Sequence, residues 1–370
     1  MRILCFMPRN MRFGPSNATS IDLCVHDLII ASGYREQTRI LCCENETLFP
    51  GLDISTYAPS VDRHKAKKIR FAVDQAKKDR AELIVVQQHL PTAAAVARRI
   101  STPVILHKHN LTKPIPPSGF FDRLRRSWRI RQHNALAGII FVSETCRDLF
   151  KAEWPEISTP MAVVYNGLDF GEWAPAEHRK KEIICVGRAA PEKGIREAAE
   201  AVANVLAVET QWSARFILSE YQRFPDYLQG VIETLKPVAD RTTIERNQTF
   251  SVVRQRLEEA AIAIVPSKWE EPFGRTALEA HAAGCAVVSS GTGGLREVSG
   301  SHALFLPKDF TASDIVHQLN VLIGDKAKRD RLASEGRSYC MQKFALKTVS
   351  ECADRFYDQV VSKRASTTRV

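Results

Sequence analysis

No run of apolar residues in this 370-residue chain approaches the ~18–20 that a membrane-crossing helix needs. The opening "MRILCFMPRN" has neither a long apolar stretch nor a small-residue cleavage site. It reads as a first β-strand, so a secretory leader is not expected. Nine cysteines contain no Cys-x-x-Cys pair, which argues against a zinc ribbon and a disulfide framework. The odd count and the adjacent Cys42 and Cys43 fit reduced, mostly buried thiols in a cytoplasm. No Asp-x-Asp occurs, so a carboxylate-held divalent cation is not expected. No strand–Gly-x-Gly-x-x-Gly–helix element occurs either. "GTGGLR" places Arg296 where the third glycine would stand, which argues against a dinucleotide oxidoreductase. No internal repeat is visible.

What is present is an ordinary globular composition, 44% hydrophobic and 25% charged, long enough for two domains. The net charge of +10 suggests an anionic partner. The excess is uneven. Between Arg98 and Arg131 stand nine Lys/Arg and one acid, Asp122.

Short apolar runs alternate with helical patterns throughout. "RILCFM", "TRILCC", "AELIVVQ", "TPVILHKH" and "AGIIFVS" read as strands, with helices over 19–32, 64–80, 92–100, 123–137 and 144–152. The pattern restarts with "EIICVG", "WSARFILS", "RTTIER", "AIAIVP", "CAVVSS" and "ALFL". Helices are expected over 194–207, 226–237, 252–260 and 274–284. Alternation of this kind predicts parallel sheets covered by helices on both faces. The expected architecture is two doubly wound, Rossmann-like α/β domains facing across a cleft. Residues 1–172 form the first, 173–181 a linker and 182–345 the second. A helix over 346–362 could cross back to the first domain, and 363–370 are expected to form a disordered tail. Open sheets of this kind bind ligands at the carboxyl ends of their strands.

The most informative stretch is "SKWEEPFGRTALEAHAAGCAVVSSGTGGLREV", residues 267–298. A buried strand leads through a Pro-Phe-Gly turn into an alanine-rich helix, and a second strand ends in a glycine-rich turn. Both turns are expected to present helix N-termini and open N–H groups, which attract phosphate. Glu271 lies on the loop and Glu279 inside the helix. Two acceptors flanking a phosphate site suit a ligand with a phosphate and several hydroxyls, such as a sugar nucleotide. The plainer readings are a capping acid at Glu271 and a solvated surface acid at Glu279.

These residues resemble the signature of the retaining glycosyltransferases of family 4, which have the GT-B fold. Glu271 and Glu279 match the family's E-x7-E. "VGRAAPEKGI" (186–195) resembles its G-R-x-x-x-x-K-G segment and "VVYNGLD" (163–169) its N-G-x-D segment. The resemblance covers essentially the whole chain and is most specific in the C-terminal half. It implies that Arg188 and Lys193 bind the donor diphosphate, that Glu279 holds the ribose hydroxyls, and that Glu271 holds the donor-sugar hydroxyls. Backbone N–H groups around Phe273 and Gly274 would help. In the first domain it implies a histidine at the donor sugar. His109 aligns better than His107, because Asn110 and Leu111 follow it. The first loop, "MPRNMRFGPSN" (7–17), departs from the family's Gly-Gly pair and keeps Gly14, expected near the phosphates or acceptor.

The resemblance therefore implies transfer of a hexose-type sugar from a nucleotide diphosphate donor to a hydroxyl of a growing envelope glycan. No metal or other cofactor is expected. The chain is most like transferases of lipopolysaccharide core. Exopolysaccharide or other glycolipid transferases are the nearest alternative. A sugar-nucleotide epimerase of the same fold, a glycosidase using Glu271 and Glu279, and a non-catalytic sugar-nucleotide binder are the rivals from other classes. A cytoplasmic location is expected, peripheral to the inner face of the plasma membrane if "GFFDRLRRSWRIRQH" (119–133) docks there. In that stretch Phe121, Leu124 and Trp128 share one helical face flanked by arginines, as in an interfacial helix. Every helix of such a domain needs a buried face, which weighs toward a stripe packed on the sheet. No recognised nucleic-acid-binding motif accompanies the charge.

Overall fold

The computed structural model of the chain describes all residues but 9, 10, 12, 16, 17, 116–118 and 368–370, with side chains through residue 364. The chain divides into two compact units, Met1–Gly167 with Leu346–Val370, and Leu168–Ala345.

In the first unit seven strands form one parallel sheet: β1 (Ile3–Phe6), β2 (Thr38–Cys43), β3 (Asp53–Tyr57), β4 (Leu83–Gln87), β5 (Val104–Lys108), β6 (Gly138–Phe141) and β7 (Met161–Val163). Their order is β3-β2-β1-β4-β5-β6-β7. Helices α1 (Ser20–Ala31), α2 (Pro59–Asp62), α3 (Lys65–Lys78), α4 (Leu90–Ala97), α5 (Phe120–His133) and α6 (Glu144–Glu153) make the crossovers. Thr19 and Asp22 start α1 as a capping box. The Thr19 hydroxyl accepts from Asp22 N–H (3.3 Å), while the Asp22 carboxylate accepts from Thr19 N–H (2.8 Å).

The second unit repeats the plan with β8 (Lys180–Arg188), β9 (Ser213–Ser219), β10 (Thr242–Arg246), β11 (Ala260–Val265), β12 (Ala286–Ser289) and β13 (Ala303–Phe305), ordered β10-β9-β8-β11-β12-β13. Its helices are α7 (Ile195–Val208), α8 (Pro225–Leu235), α9 (Phe250–Glu259), α10 (Arg275–Ala282), α11 (Leu295–Ser299), α12 (Ala312–Gly324) and α13 (Lys326–Phe344). Every residue of β11 and β12 is buried, as their continuous apolar sequences require. The strand order reverses between β8 and β11. A ligand crevice is expected at the carboxyl ends of those two strands.

The last helix, α14 (Leu346–Thr367), belongs to the first unit. Val349, Ala353, Phe356 and Val360 recur at helical spacing and pack with Ile3, Leu83 and Ile140. Asp354 accepts from the Ser32 hydroxyl (2.6 Å) and Gly33 N–H (2.8 Å), tying α14 to the end of α1.

Several expectations need correction. The stretch 173–181, expected as the linker, lies within the second unit and packs there. Trp173 is buried, Ala174 N–H donates to the Glu258 carboxylate (2.8 Å), Ala176 N–H donates to the Glu258 carbonyl (3.0 Å), and 180–181 already belong to β8. Residues 363–367, expected to be disordered, continue α14, while 368–370 lie outside the described residues. The packed reading of α5 is also overturned. Phe120, Phe121, Leu124 and Trp128 are 70%, 78%, 52% and 48% exposed, so the apolar face of this helix meets solvent. Of its arginines, Arg125 pairs within the helix with Asp122 (3.5 Å), and Arg126 is pinned to the segment after it in the chain. It donates to Glu153 (3.1 Å) and Glu156 (3.1 Å) and lies 4.5 Å from the centre of the Trp154 ring.

Candidate active site

β8 ends at Arg188, and the chain then makes a single 3₁₀ turn over Pro191–Lys193 before Gly194 starts α7. Gly194 has a left-handed backbone (φ 64°), and a Cβ there would strike the carbonyl of Pro266. A side chain is excluded twice over, which lets this turn lie directly against the loop that leaves β11. Two bonds clip the turns together. Lys268 N–H donates to the Glu192 carbonyl (2.9 Å), and the Ser267 hydroxyl reaches the same carbonyl (3.4 Å).

Lys193 and Glu271 consequently form a half-buried ion pair. The Ser267 hydroxyl donates to the same Glu271 oxygen, Oε1 (2.7 Å). Both bonds fall on Oε1, which leaves Oε2 as the acceptor for something else. The Lys193 ammonium also lies 5.9 Å from the ring centre of Trp269, a partly exposed side chain on the same loop. Arg188 stands beside Glu192 (3.3 Å) and Glu220 (3.8 Å). Glu220 follows β9 with φ 50°, an uncommon backbone for a residue with a side chain.

The glycine-rich turn after β12 packs directly against the Glu271 loop. Gly293 (φ 56°) has no room for a Cβ because the carbonyl of Glu271 lies against it, and Gly294 N–H donates to that carbonyl (2.8 Å). Gly291 N–H goes to the Ser289 hydroxyl (3.2 Å). The Thr292 hydroxyl donates to the carbonyl of Trp269 (2.9 Å). The Gly294 N–H and the Thr292 hydroxyl hold the Glu271 loop from behind. Phe273 is buried and packs edge-on against Phe344 (5.5 Å between ring centres), so its side chain anchors the loop. Gly274 (φ 105°) lies against Leu295 and opens α10.

Glu279, on α10, is buried and is no solvated surface acid. Arg275, one turn earlier, donates from Nε to Glu279 Oε1 (2.8 Å), and its guanidinium lies 5.8 Å from the centre of the Phe250 ring. Arg275, Ser267 and Trp269 are site residues that sequence reasoning missed. Arg275 and Glu279 are four apart on an expected helix, a spacing that could have revealed the pair.

Two expected residues lie in the first unit. His109 follows β5 and is buried. It donates from Nε2 to Gln87 Oε1 (2.9 Å), and its ring stacks on His107 at 4.3 Å. Burial, with the neighbouring His107 and Lys108 adding to it, holds its pKa well below the ordinary value, so the ring is neutral. Gln88, with φ 57°, accepts from the N–H groups of His109 (2.7 Å) and Asn110 (3.2 Å) and fixes this strand end. Gly14 is buried with Thr47 so close that a Cβ would strike its carbonyl, which gives this glycine a packing role. Residues 9, 10, 12, 16 and 17 of the same loop lie outside the described residues. Among the described residues no group of three or more His, Cys, Asp or Glu is placed to hold a metal ion. No described helix is long and apolar enough to cross a membrane.

Comparison with known proteins bears on this geometry. The family model "Glycosyltransferase Family 4" matches residues 44–172, and "Glycosyl transferases group 1" matches 172–339. A lipopolysaccharide 1,2-N-acetylglucosaminetransferase of Salmonella typhimurium is 24% identical over 71% of this chain and 68% of its own length. An alpha-maltose-1-phosphate synthase of Mycobacterium tuberculosis is 26% identical over 61% of this chain. The match spans 64% of that enzyme, less than two thirds of its length. Among solved structures, Anabaena HepE in complex with UDP and glucose has a TM-score of 0.75 at 17% identity. The superposition covers 97% of this chain and 99% of that one. Sucrose-phosphate synthase from Thermosynechococcus elongatus has a TM-score of 0.77 at 16% identity, over 98% and 100%. These likenesses establish the GT-B type of fold.

Proposed function

The chain belongs to the family 4 and group 1 glycosyltransferases, and on that premise we propose that it moves a hexose-type sugar from a nucleotide diphosphate donor to a glycan hydroxyl with retention of configuration. The observation that carries this reading is the Lys193–Glu271 pair, held by Ser267 at the carboxyl ends of β8 and β11. A cation and a carboxylate with one oxygen to spare suit the two halves of such a donor, its diphosphate and its sugar hydroxyls.

The roles follow from charge. As the bond from C1 to the diphosphate oxygen breaks, the leaving group gains negative charge, which Arg188 and Lys193 stabilise in place of a metal. Glu271 Oε2 accepts from sugar hydroxyls, with backbone N–H groups near Phe273 and Gly274 beside it. Glu279, oriented by Arg275, accepts from the ribose. His109, as a neutral imidazole, is the proposed partner of a sugar hydroxyl, and Gly14 is retained for the phosphate or acceptor. The acceptor oxygen bonds to C1 on the face that the diphosphate leaves, and its proton passes to the departing phosphate oxygen.

For the acceptor, an envelope glycan of the lipopolysaccharide-core class is favoured by the Salmonella relative alone. The exposed aromatic and basic face of α5 supports contact with an anionic membrane carrying such an acceptor. We place the enzyme in the cytoplasm, peripheral to the inner face of the plasma membrane. The experiment is transfer from the accepted donor to a simple acceptor, with the product anomer read by proton NMR, in the presence of EDTA. Product with the donor's anomeric configuration is expected in chelator. An inverted product, or loss of turnover restored by magnesium, sinks the corresponding part of the reading.

A further inference from the structure

The opposite edge of the second unit's sheet carries a concavity of about 420 Å³, lined at the amino ends of β8 and β11. β8 has nine residues, so this edge lies about 26 Å along the strand from Arg188. Six Lys/Arg side chains line it against two carboxylates, Glu177 and Asp330. Three of the six are half-buried guanidiniums held by backbone carbonyls. Arg179 donates to Ala260 (2.6 Å) and to Ala283, Arg337 to Trp173 (3.0 Å), and Arg329 to Leu322 (2.5 Å). Arg329 also lies over the Trp212 ring at 5.4 Å.

Carbonyls orient these groups without cancelling their charge. Among the described residues none of the three has a carboxylate within ion-pair distance, whereas Lys326 pairs with Asp330 (2.5 Å) and Lys180 with Glu259 (2.5 Å) at the exposed rim. Burial lowers the pKa of Arg337, the charge of Arg179 lowers it further, and Glu258 offsets this in part. The two guanidiniums repel each other in a partly desolvated space. Guanidinium forks match the planar spacing of oxyanions and bind them in pairs of hydrogen bonds. An anion seated between them removes the repulsion.

We propose that this basin binds a small, multiply charged oxyanion of the phosphate-ester class, at a site separate from the one formed by Lys193 and Glu271. The recess is the size of a small phosphorylated metabolite, and the inference does not depend on the reaction proposed above.

The probe is inorganic pyrophosphate, titrated calorimetrically at constant ionic strength set with potassium chloride. Three proteins are compared: wild type, Arg188→Ala with Lys193→Ala, and a rim variant that adds Lys181→Glu with Lys326→Glu to those two changes, so that pyrophosphate bound near Arg188 and Lys193 does not mask the basin. Lys181 and Lys326 are exposed rim residues, so their reversal should leave the fold intact. Should the reversed pair unfold, Lys181→Gln with Lys326→Gln replaces it. Binding is expected to persist in the Arg188/Lys193 variant and to weaken at least about tenfold in the rim variant at unchanged melting temperature. Affinity indifferent to the rim charges overturns the proposal, as does complete loss of binding in the Arg188/Lys193 variant or the absence of saturable binding. Phosphatidylglycerol vesicles serve as the second arm. Rim-dependent capture of vesicles without binding of free pyrophosphate would assign the basin to a lipid surface and overturn a small-molecule site.

Discussion

Glu271 and Glu279 are both held by cations at similar depth, one on a loop and one on a helix. Glu271 sits on a loop with one oxygen uncommitted, and Glu279 is locked inside α10 by Arg275. If Glu279 accepts ribose hydroxyls, Glu279→Ala should weaken the donor and the bare nucleoside diphosphate alike, by ~1.5–3 kcal/mol for charged hydrogen bonds. Arg275 acts through Glu279, so Arg275→Ala should cost less, and the double variant should fall short of the sum. Calorimetric affinities for the four proteins decide. Unchanged nucleoside diphosphate affinity in Glu279→Ala removes the ribose role. At this scale the E-x7-E pair, Arg188 and Lys193 were visible in the sequence because a motif fixes their order. Their neighbours were not. A hydroxyl such as Ser267 gains its role only when the loop folds back onto Glu271. The close packing of the turn glycines was not legible either, because a glycine needed for close packing and one offering its N–H look the same in sequence.

Among the elements, α5 departs most from its expected setting. An amphipathic helix in an α/β unit normally hides its apolar stripe, yet here four large apolar side chains face water beside Arg123, Arg125, Arg129 and Arg131. Anionic lipid contributes about 1 kcal/mol for each nearby basic residue, enough in sum for reversible attachment. Vesicle co-sedimentation should show binding to anionic but not zwitterionic liposomes, weakened by salt. Arg125→Glu with Arg129→Glu should reduce it sharply while the melting temperature holds. Arg126 is the wrong residue to reverse, since it anchors α5 to Glu153, Trp154 and Glu156. Equal sedimentation of wild type and variant would leave α5 without a membrane role. Most helices and strands lie within a few residues of their expected ranges, because apolar period and turn residues agree there. α12 and α13 were passed over. The buried stripe of α13 is Leu332, Ala333, Gly336, Cys340 and Phe344, and small residues leave little hydrophobic pattern to read. Edge strands β3 and β7 were missed for a related reason, since an edge strand carries fewer buried apolar residues.

In the whole molecule, two parallel sheets follow the same winding rule, and the second reverses its strand order where the motif residues gather. The sheets were legible because each buried strand is a short apolar run. The passage between units was less so. The chain leaves the first unit after Gly167 and re-enters it at Leu346, and Trp173 shows that the intervening stretch packs with the second unit. Such a junction follows packing, which composition does not reveal. The central claim is that the second unit holds a nucleotide diphosphate sugar. The most direct measurement is the melting temperature of wild type and Glu279→Ala across a panel of nucleotide sugars. A ligand that binds only the folded state adds about 2.7 kcal/mol at a hundredfold excess over its Kd, a shift of several degrees. One donor is expected to raise the melting temperature of the wild type and to do so much less in Glu279→Ala. A panel in which no nucleotide sugar moves the wild-type transition would contradict the claim.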